Sequence, residues 1–222
     1  EAEVISVKDG KYIVLNQTAF YPASGGQLHD TGIFTRISDD KEFKVIFVGK
    51  FSGEISHEVG EEGLQTGDKI KGIIDWERRY KLMRMHTAAH IVSGVFHKEA
   101  GALITGNQLD LDKTRIDFSL ENFDREKIND YFAKSNELVN KDFPIKIYTM
   151  PREEAEKDSA MFKLAKELPS SIKDIRVVEI VGFDRQADGG THVKSLKEVG
   201  RIEFLKAENK GKDNRRVYFT LK

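Results

Sequence analysis

The sequence contains no cysteine, which excludes disulfides and thiolate metal ligands and fits a cytoplasmic protein. It has no run near the ~18 apolar residues of a membrane span, so no membrane association is expected. The opening EAEVISVKDGKYIVL alternates charge and apolarity instead of placing a basic region before an apolar block, and no signal peptide is expected. An excess of charge of either sign is also missing, since 36 Lys and Arg against 37 Asp and Glu leave -1. Any contact with a polyanion must then come from a local patch. No internal repeat or low-complexity segment is visible. What remains is 222 residues, 39% apolar and 33% charged, a soluble globular composition with room for one large domain or two small ones.

The chain has two textures. Up to Asp75 it reads as short strands, VISV, KYIVL, GIFTRI, EFKVIFVGKF and KIKGIID, separated by the turns KDG, SDD, GEEG and TGD. This predicts a small β-barrel over residues 1–75. From Trp76 the period changes. A helix is followed by the strand TRIDFSL and by a second helical pattern in Phe123, Ile128, Tyr131, Phe132, Ser135, Leu138 and Val139. Pro144 leads into the strand IKIYT, and Pro151 opens a third helix, PREEAEK. The strand IRVVEIV, the loop FDRQADGGTHVKS, and the strands RIEFLK and RVYFTL across the turn ENKGKDN complete the chain. Residues 76–222 are predicted to be α+β, with helices packed on a mainly antiparallel sheet.

Half of the six histidines fall in MHTAAHIVSGVFHKE, Met85 to Glu99. Leu82, Met85, Ala89, Val92 and Phe96 recur at helical steps and form an apolar stripe, with Gly101 as a stop. On that helix His86 and His90 project side by side and can offer imidazoles to one ion, whereas His97 lies about 10 Å beyond His90 at ~1.5 Å per residue. The competing reading is a polar boundary between core and solvent. Thr87 stands where a zinc peptidase needs its glutamate, so peptidase chemistry is disfavoured.

A second donor pair lies in QADGGTHV, where Asp188 and His192 flank Gly189, Gly190 and Thr191. Two glycines let a loop fold back so that carboxylate and imidazole converge. His86, His90, Asp188 and His192 together would make a nitrogen and oxygen site for a borderline ion, with Zn²⁺ the first choice. The alternative is a Gly-rich turn with a capping Asp and a surface His, and spacing leaves both open. A basic patch closes the chain: residues 206–222 carry six Lys and Arg against two acids. A hairpin there would leave Lys210, Lys212, Arg215 and Arg216 at its tip, free to meet phosphates.

The HTAAH helix followed by a loop ending GGTH resembles the editing domain shared by alanyl-tRNA synthetases, bacterial-type threonyl-tRNA synthetases and the free-standing alanyl-tRNA editing proteins. TAFYPASGGQLHDTG, Thr18 to Gly32, is similar to the signature that precedes this domain in alanyl-tRNA synthetase and in the longer editing proteins. ENKGKDNRRVYF is similar to the family's closing hairpin. Nothing in the chain offers an ATP-binding, amino-acid-activating domain, so the resemblance is to the medium-length, two-domain editing proteins. It implies a trans-editing hydrolase that deacylates mischarged Ser-tRNA(Ala), with Gly-tRNA(Ala) a second substrate to consider. It implies one Zn²⁺ per chain as cofactor and tRNA(Ala) as partner.

One departure stands out. The family loop is usually CGGTH, and Asp188 replaces its cysteine ligand, which puts the metal's affinity and identity in question and argues against a cysteine nucleophile. The resemblance also makes Thr87 a candidate for sensing the serine hydroxyl and Gln27, in SGGQ, a candidate for a loop over the pocket. Gly25, Gly26, Gly189, Gly190 and Thr191 become candidates for lining the substrate. Two rival functions are compatible with the same residues: an inactive tRNA- or RNA-binding module that keeps the fold, and a metal-dependent esterase for small aminoacyl compounds.

Overall fold

Alternating apolar and polar residues set the first six strands of the computed structural model, which describes residues 1–121, 124–164 and 169–222. They are β1 (Ala2–Lys8), β2 (Tyr12–Leu15), β3 (Gly32–Arg36), β4 (Glu42–Phe51), β5 (Glu54–Val59) and β6 (Lys69–Ile74). They close into an antiparallel barrel in the order β1-β2-β5-β4-β3-β6. Val4, Ile13, Phe34, Phe43, Val45, Val48, Val59 and Ile70 fill it, joined by Phe20 and Leu64 from the connections. A register shift between Val45 and Phe47 accounts for the change of inward parity along β4. Gly32 is required where β3 meets β6, because a β-carbon there would lie 2.2 Å from the Ile73 carbonyl oxygen.

Five of these strands match the expected ones, and β5 is additional to them. Its inward position between Ile55 and Val59 is His57, fully buried, which interrupts the apolar alternation. The ring fits because Nδ1 bonds the Ile13 carbonyl at 3.0 Å and Nε2 lies 2.8 Å from Thr18 Oγ1.

The chain divides into two units, Glu1–Lys81 and Leu82–Lys222. The helix α1 (Trp76–Ala100) runs from the first into the second. It ends with the Gly101 N–H returning to the His97 carbonyl at 2.8 Å. The second unit holds β7 (Ile104–Leu109), β8 (Thr114–Ser119), α2 (Arg125–Lys141), β9 (Ile145–Pro151), α3 (Arg152–Ala155), β10 (Asp174–Ile180), β11 (Asp184–Ala187), β12 (Ile202–Asn209) and β13 (Asn214–Leu221). Two antiparallel sheets result, β12-β13-β8-β7 and β11-β10-β9. Asp124 caps α2 by accepting from the N–H groups of Glu126 and Lys127. Phe123, which the periodicity assigns to α2, lies outside the described residues. The third helix is one turn long, shorter than PREEAEK predicts. Part of the predicted loop is the strand β11, hidden because its inward residue is the polar Gln186.

α1 departs most from the expectation of a one-sided stripe, since every residue from Met85 to Phe96 is buried. On one side Phe96 stacks on Phe118 of β8 with ring centroids 4.3 Å apart. On another, Gly94 faces the β10–β11 turn, where a β-carbon would meet the Phe183 ring at 2.8 Å. The helix is therefore packed against both sheets, and the polar face carrying His86, Thr87, His90 and Ser93 is interior. The architecture is α+β with an N-terminal closed barrel, and among the described residues no helix is long and apolar enough to cross a membrane.

Candidate metal centre

Helical spacing places His86 and His90 one turn apart, and their ring centroids are 5.2 Å from each other. His192 completes a triangle, with centroids 4.4 Å from His86 and 4.6 Å from His90. It arrives on the loop after β11, which turns back sharply enough for the buried Gly190 to lie against His86. Asp188 opens that loop. Its Oδ2 accepts from the Gly190 N–H at 2.6 Å, and Arg176 of β10 donates to its backbone carbonyl at 2.8 Å.

All three Nε2 atoms point at the Asp188 carboxylate. His192 Nε2 is 3.0 Å from Oδ2, and His86 and His90 Nε2 are 3.3 and 3.9 Å from Oδ1. One donor atom from each of the four residues lies within 4.8 Å of every other, so the group could hold a metal ion. Donors around a tetrahedral zinc with bonds of about 2.0–2.1 Å are about 3.4 Å apart, close to these separations. The three imidazoles are at most 8% exposed and the Asp188 side chain 17%, so the cluster's open side is at the carboxylate. His97 lies outside it, bonded to the Ala102 carbonyl.

Electrostatics favour the ligating charge states of Asp188, His90 and His192. Burial lowers the pKa of His90, and burial together with the neighbouring His86 and His90 pushes His192 well below the usual imidazole range. Burial pushes the Asp188 carboxyl up, but the charge of His86 and hydrogen bonds from the histidines outweigh it and hold that carboxyl well below its usual range. The result is an ionised carboxylate beside His90 and His192, whose charged forms burial disfavours.

Sequence reasoning missed the layer behind the histidines. Lys163 is 3% exposed and donates to Asp184 at 2.7 Å. The other Asp184 oxygen accepts from Gln186 Nε2 at 2.8 Å, and Gln186 also bonds the His90 carbonyl and Ser93 Oγ, both at 3.3 Å. This network ties β11 to the His90 turn of α1. Its only sequence signal is a set of polar residues within apolar surroundings.

Thr87 is fully buried between the two helix histidines, with Oγ1 3.1 Å from His192 Nδ1 and accepting from the Val193 N–H at 3.3 Å. Thr191 is half-buried and Gly189 exposed.

In the first unit SGGQ forms a tight turn, with Gly25 and Gly26 at φ 59° and 87° and reciprocal backbone bonds between Ser24 and Gln27. Gln27 is 2% exposed. Asp30, from the same signature, is fully buried. It accepts from the Tyr21 N–H at 2.6 Å and pairs through both oxygens with Arg79 of α1, which also reaches the Ala19 carbonyl at 2.7 Å. Arg79 is a second residue that sequence reasoning missed.

The expected free cationic tip needs correction at two positions. Arg215 is 5% exposed. Its guanidinium is spent on the carbonyls of Gly211, Asn214, Lys212 and Glu121 and on Asn209, because β13 turns this residue inward beside Val217 and Phe219. Arg216 faces out but is bound to Asp117 through two hydrogen bonds of 2.7 and 2.9 Å. Lys210 and Lys212 are exposed, Lys210 pairing with Glu208 at 3.0 Å.

Comparison with known proteins places this arrangement. Residues 1–78 match the family described as tRNA synthetases class II (A), and residues 175–218 match the threonyl and alanyl tRNA synthetase second additional domain. The chain is 53% identical to the alanyl-tRNA editing protein AlaX-M of Methanosarcina barkeri, covering 100% of this chain and 93% of that protein. It is 44% identical to AlaX-M of Saccharolobus solfataricus with the same coverage of both. The alanine–tRNA ligase of Thermofilum pendens is 39% identical over 92% of this chain, which spans 23% of that ligase. Identity at this level through both units makes the chain a member of the AlaX-M family of alanyl-tRNA editing proteins.

Proposed function

We propose that this chain is a trans-editing aminoacyl-tRNA hydrolase that cleaves the ester of mischarged Ser-tRNA(Ala) and returns free tRNA, with Gly-tRNA(Ala) the second substrate to test. The observation that carries this reading is the buried convergence of three imidazole nitrogens and one carboxylate, in a chain whose full-length relatives are named alanyl-tRNA editing proteins. In this reading residues 76–222 carry the chemistry and residues 1–75, with SGGQ, act on substrate choice.

His86, His90, Asp188 and His192 would hold one Zn²⁺, since their donor types and separations suit that ion. When bound, the ion supplies Lewis acidity, either to the ester carbonyl or to the water that attacks it. The protein's part is to keep the imidazoles dry and those of His90 and His192 neutral, to supply one negative charge through Asp188, and to leave an approach on the carboxylate side. Gly189, Gly190 and Thr191, which follow Asp188 in the same loop, would seat the aminoacyl group. With no cysteine in the chain, hydrolysis proceeds without a thiolate nucleophile. Lys210 and Lys212 would be the tip cations that meet phosphate.

The test is deacylation of Ser-tRNA(Ala) beside Ala-tRNA(Ala) by the wild type and His86→Ala, with metal content measured on the same samples. Selective loss of serine that disappears together with the metal is the expected result. No turnover by folded, metal-loaded wild type would overturn the proposal in favour of a binding module.

A further inference from the structure

Thr87 lies between two of the candidate ligands on α1, but its hydroxyl faces neither of them. It sits against the far side of His192: Nδ1 is 3.1 Å from Thr87 Oγ1, while Nε2, across the ring, is 3.0 Å from Asp188 Oδ2. The ring is thus held at both ends, by a carboxylate inside the donor cluster and by a hydroxyl outside it. The same Oγ1 accepts from the Val193 N–H at 3.3 Å, fixing the backbone next to the ring. Both Thr87 and the His192 side chain are fully buried, so water cannot replace either contact.

A neutral imidazole carries one N–H. For Nε2 to present a lone pair to a cation, the proton must sit on Nδ1 and needs an acceptor there. Thr87 Oγ1 is that acceptor. We infer that Thr87 is a positioning residue which, by accepting from Nδ1 when a metal takes the place of the Nε2 proton that now faces Asp188, holds His192 in the ligating tautomer and fixes the plane of its ring. This rests on the metal-centre reading above and adds to it a residue outside the ligand set. It assigns the hydroxyl a role toward His192 that requires no contact with the substrate's serine. Valine keeps the shape of threonine and removes the acceptor, leaving a buried N–H with no partner. Serine keeps the acceptor and removes only a methyl.

The experiment is a Zn²⁺ competition titration against a chromophoric chelator for wild type, Thr87→Val and Thr87→Ser. It is joined to thermal melts of the metal-free proteins and long-range ¹H–¹⁵N spectra of the zinc-loaded wild-type histidines. Loss of an outer partner to a metal-bound histidine typically costs about 10- to 100-fold in affinity. The expected result is therefore weaker zinc binding by about that factor in Thr87→Val, near wild-type binding in Thr87→Ser, and a proton on His192 Nδ1. A merely structural threonine would lower the melting temperature of Thr87→Val and leave the zinc affinity of its folded form unchanged, which overturns the inference. If Thr87→Val does not fold, a proton on Nε2 of wild-type His192 overturns it equally. Wild type that takes up no zinc defeats the metal-centre reading itself, and the inference with it. Tight binding by both wild type and Thr87→Val defeats only the inference.

Discussion

A β-carbon built on Gly190 would lie 2.0 Å from Cε1 and 2.3 Å from Nδ1 of His86. The loop bearing two of the candidate ligands thus packs against a third, and only hydrogen at this α-carbon permits the approach. Gly189, its neighbour, has nothing within 4 Å of the same construction. Gly190→Ala should therefore force His86 or the loop aside at a cost of about 1–3 kcal/mol and weaken zinc binding, whereas Gly189→Ala should bind as the wild type does. Zinc titration of both variants checks this, and equal loss of zinc affinity in the two would refute the close-packing argument.

The carboxylate at position 188 makes a second prediction. Thiolate is the softer donor and holds zinc more firmly against competitors. It also reaches farther, at about 2.3 Å for Zn–S against about 2.0–2.2 Å for Zn–O. Asp188→Cys should slow zinc loss to a chelator. Asp188→Ala should lose at least the ~10- to 100-fold typical of an outer partner. Zinc release at the same rate from Asp188→Cys and wild type would mean that Asp188 is not a ligand.

Arg79 neutralises an Asp30 that has no exposure to solvent. Removing one partner of such a pair leaves an uncompensated buried charge, which typically costs about 3–5 kcal/mol. Arg79→Ala should lower stability to urea by about that amount, and Asp30→Asn in the same background should recover part of it. A double variant no more stable than Arg79→Ala would show that the cost comes from lost packing by the arginine stem.

These particulars also show what a sequence discloses. Barrel strands are legible where alternation is clean, as in β1 to β4 and β6, and β5 is lost at the inward His57. Spacing on a helix makes His86 and His90 neighbours without further information. Their meeting with Asp188 and His192 depends on a loop about a hundred residues away, for which the sequence offers only two glycines and the order of motifs. The Asp30–Arg79 and Lys163–Asp184 pairs leave no pattern, because a charge gives no sign of burial until its partner is in place. The hairpin tip departs from its sequence pattern for a related reason: alternation along β13 turns Arg215 inward, a position that its charge alone argues against.

His57 ties stability to pH. Burial lowers its pKa in the folded barrel below the ordinary 6.5, with the Ile13 carbonyl opposing that shift in part. The unfolded chain therefore takes up a proton that the folded chain refuses. Stability from this group is complete above pH 6.5 and falls as the pH drops below it, by about 1.4 kcal/mol per pH unit until the folded form is also protonated. His90 and His192 act with the same sign in metal-free protein, so wild type and His57→Asn must be compared at equal metal content. Urea midpoints at pH 7.5 and 5.0 should separate less in the variant, and an unchanged separation would clear His57 of this role.

The corrected hairpin tip makes the partner testable. Each phosphate neutralised by a cation steepens the dependence of affinity on salt by about one logarithmic unit per unit. Lys210 and Lys212 are the exposed cations there, while Arg215 is committed to backbone carbonyls. Lys210→Glu with Lys212→Glu should weaken tRNA binding and flatten its salt slope by about one to two, with little change in melting temperature. Arg215→Ala should act on the fold, leaving several carbonyls without a donor at about 1–3 kcal/mol for each one that remains buried. Filter binding across a salt series, beside melting curves of the same proteins, separates the two outcomes. If the double lysine variant binds tRNA with an unchanged slope, the phosphate contacts lie elsewhere on the chain, and the basic composition of residues 206–222 serves only to keep that hairpin solvated.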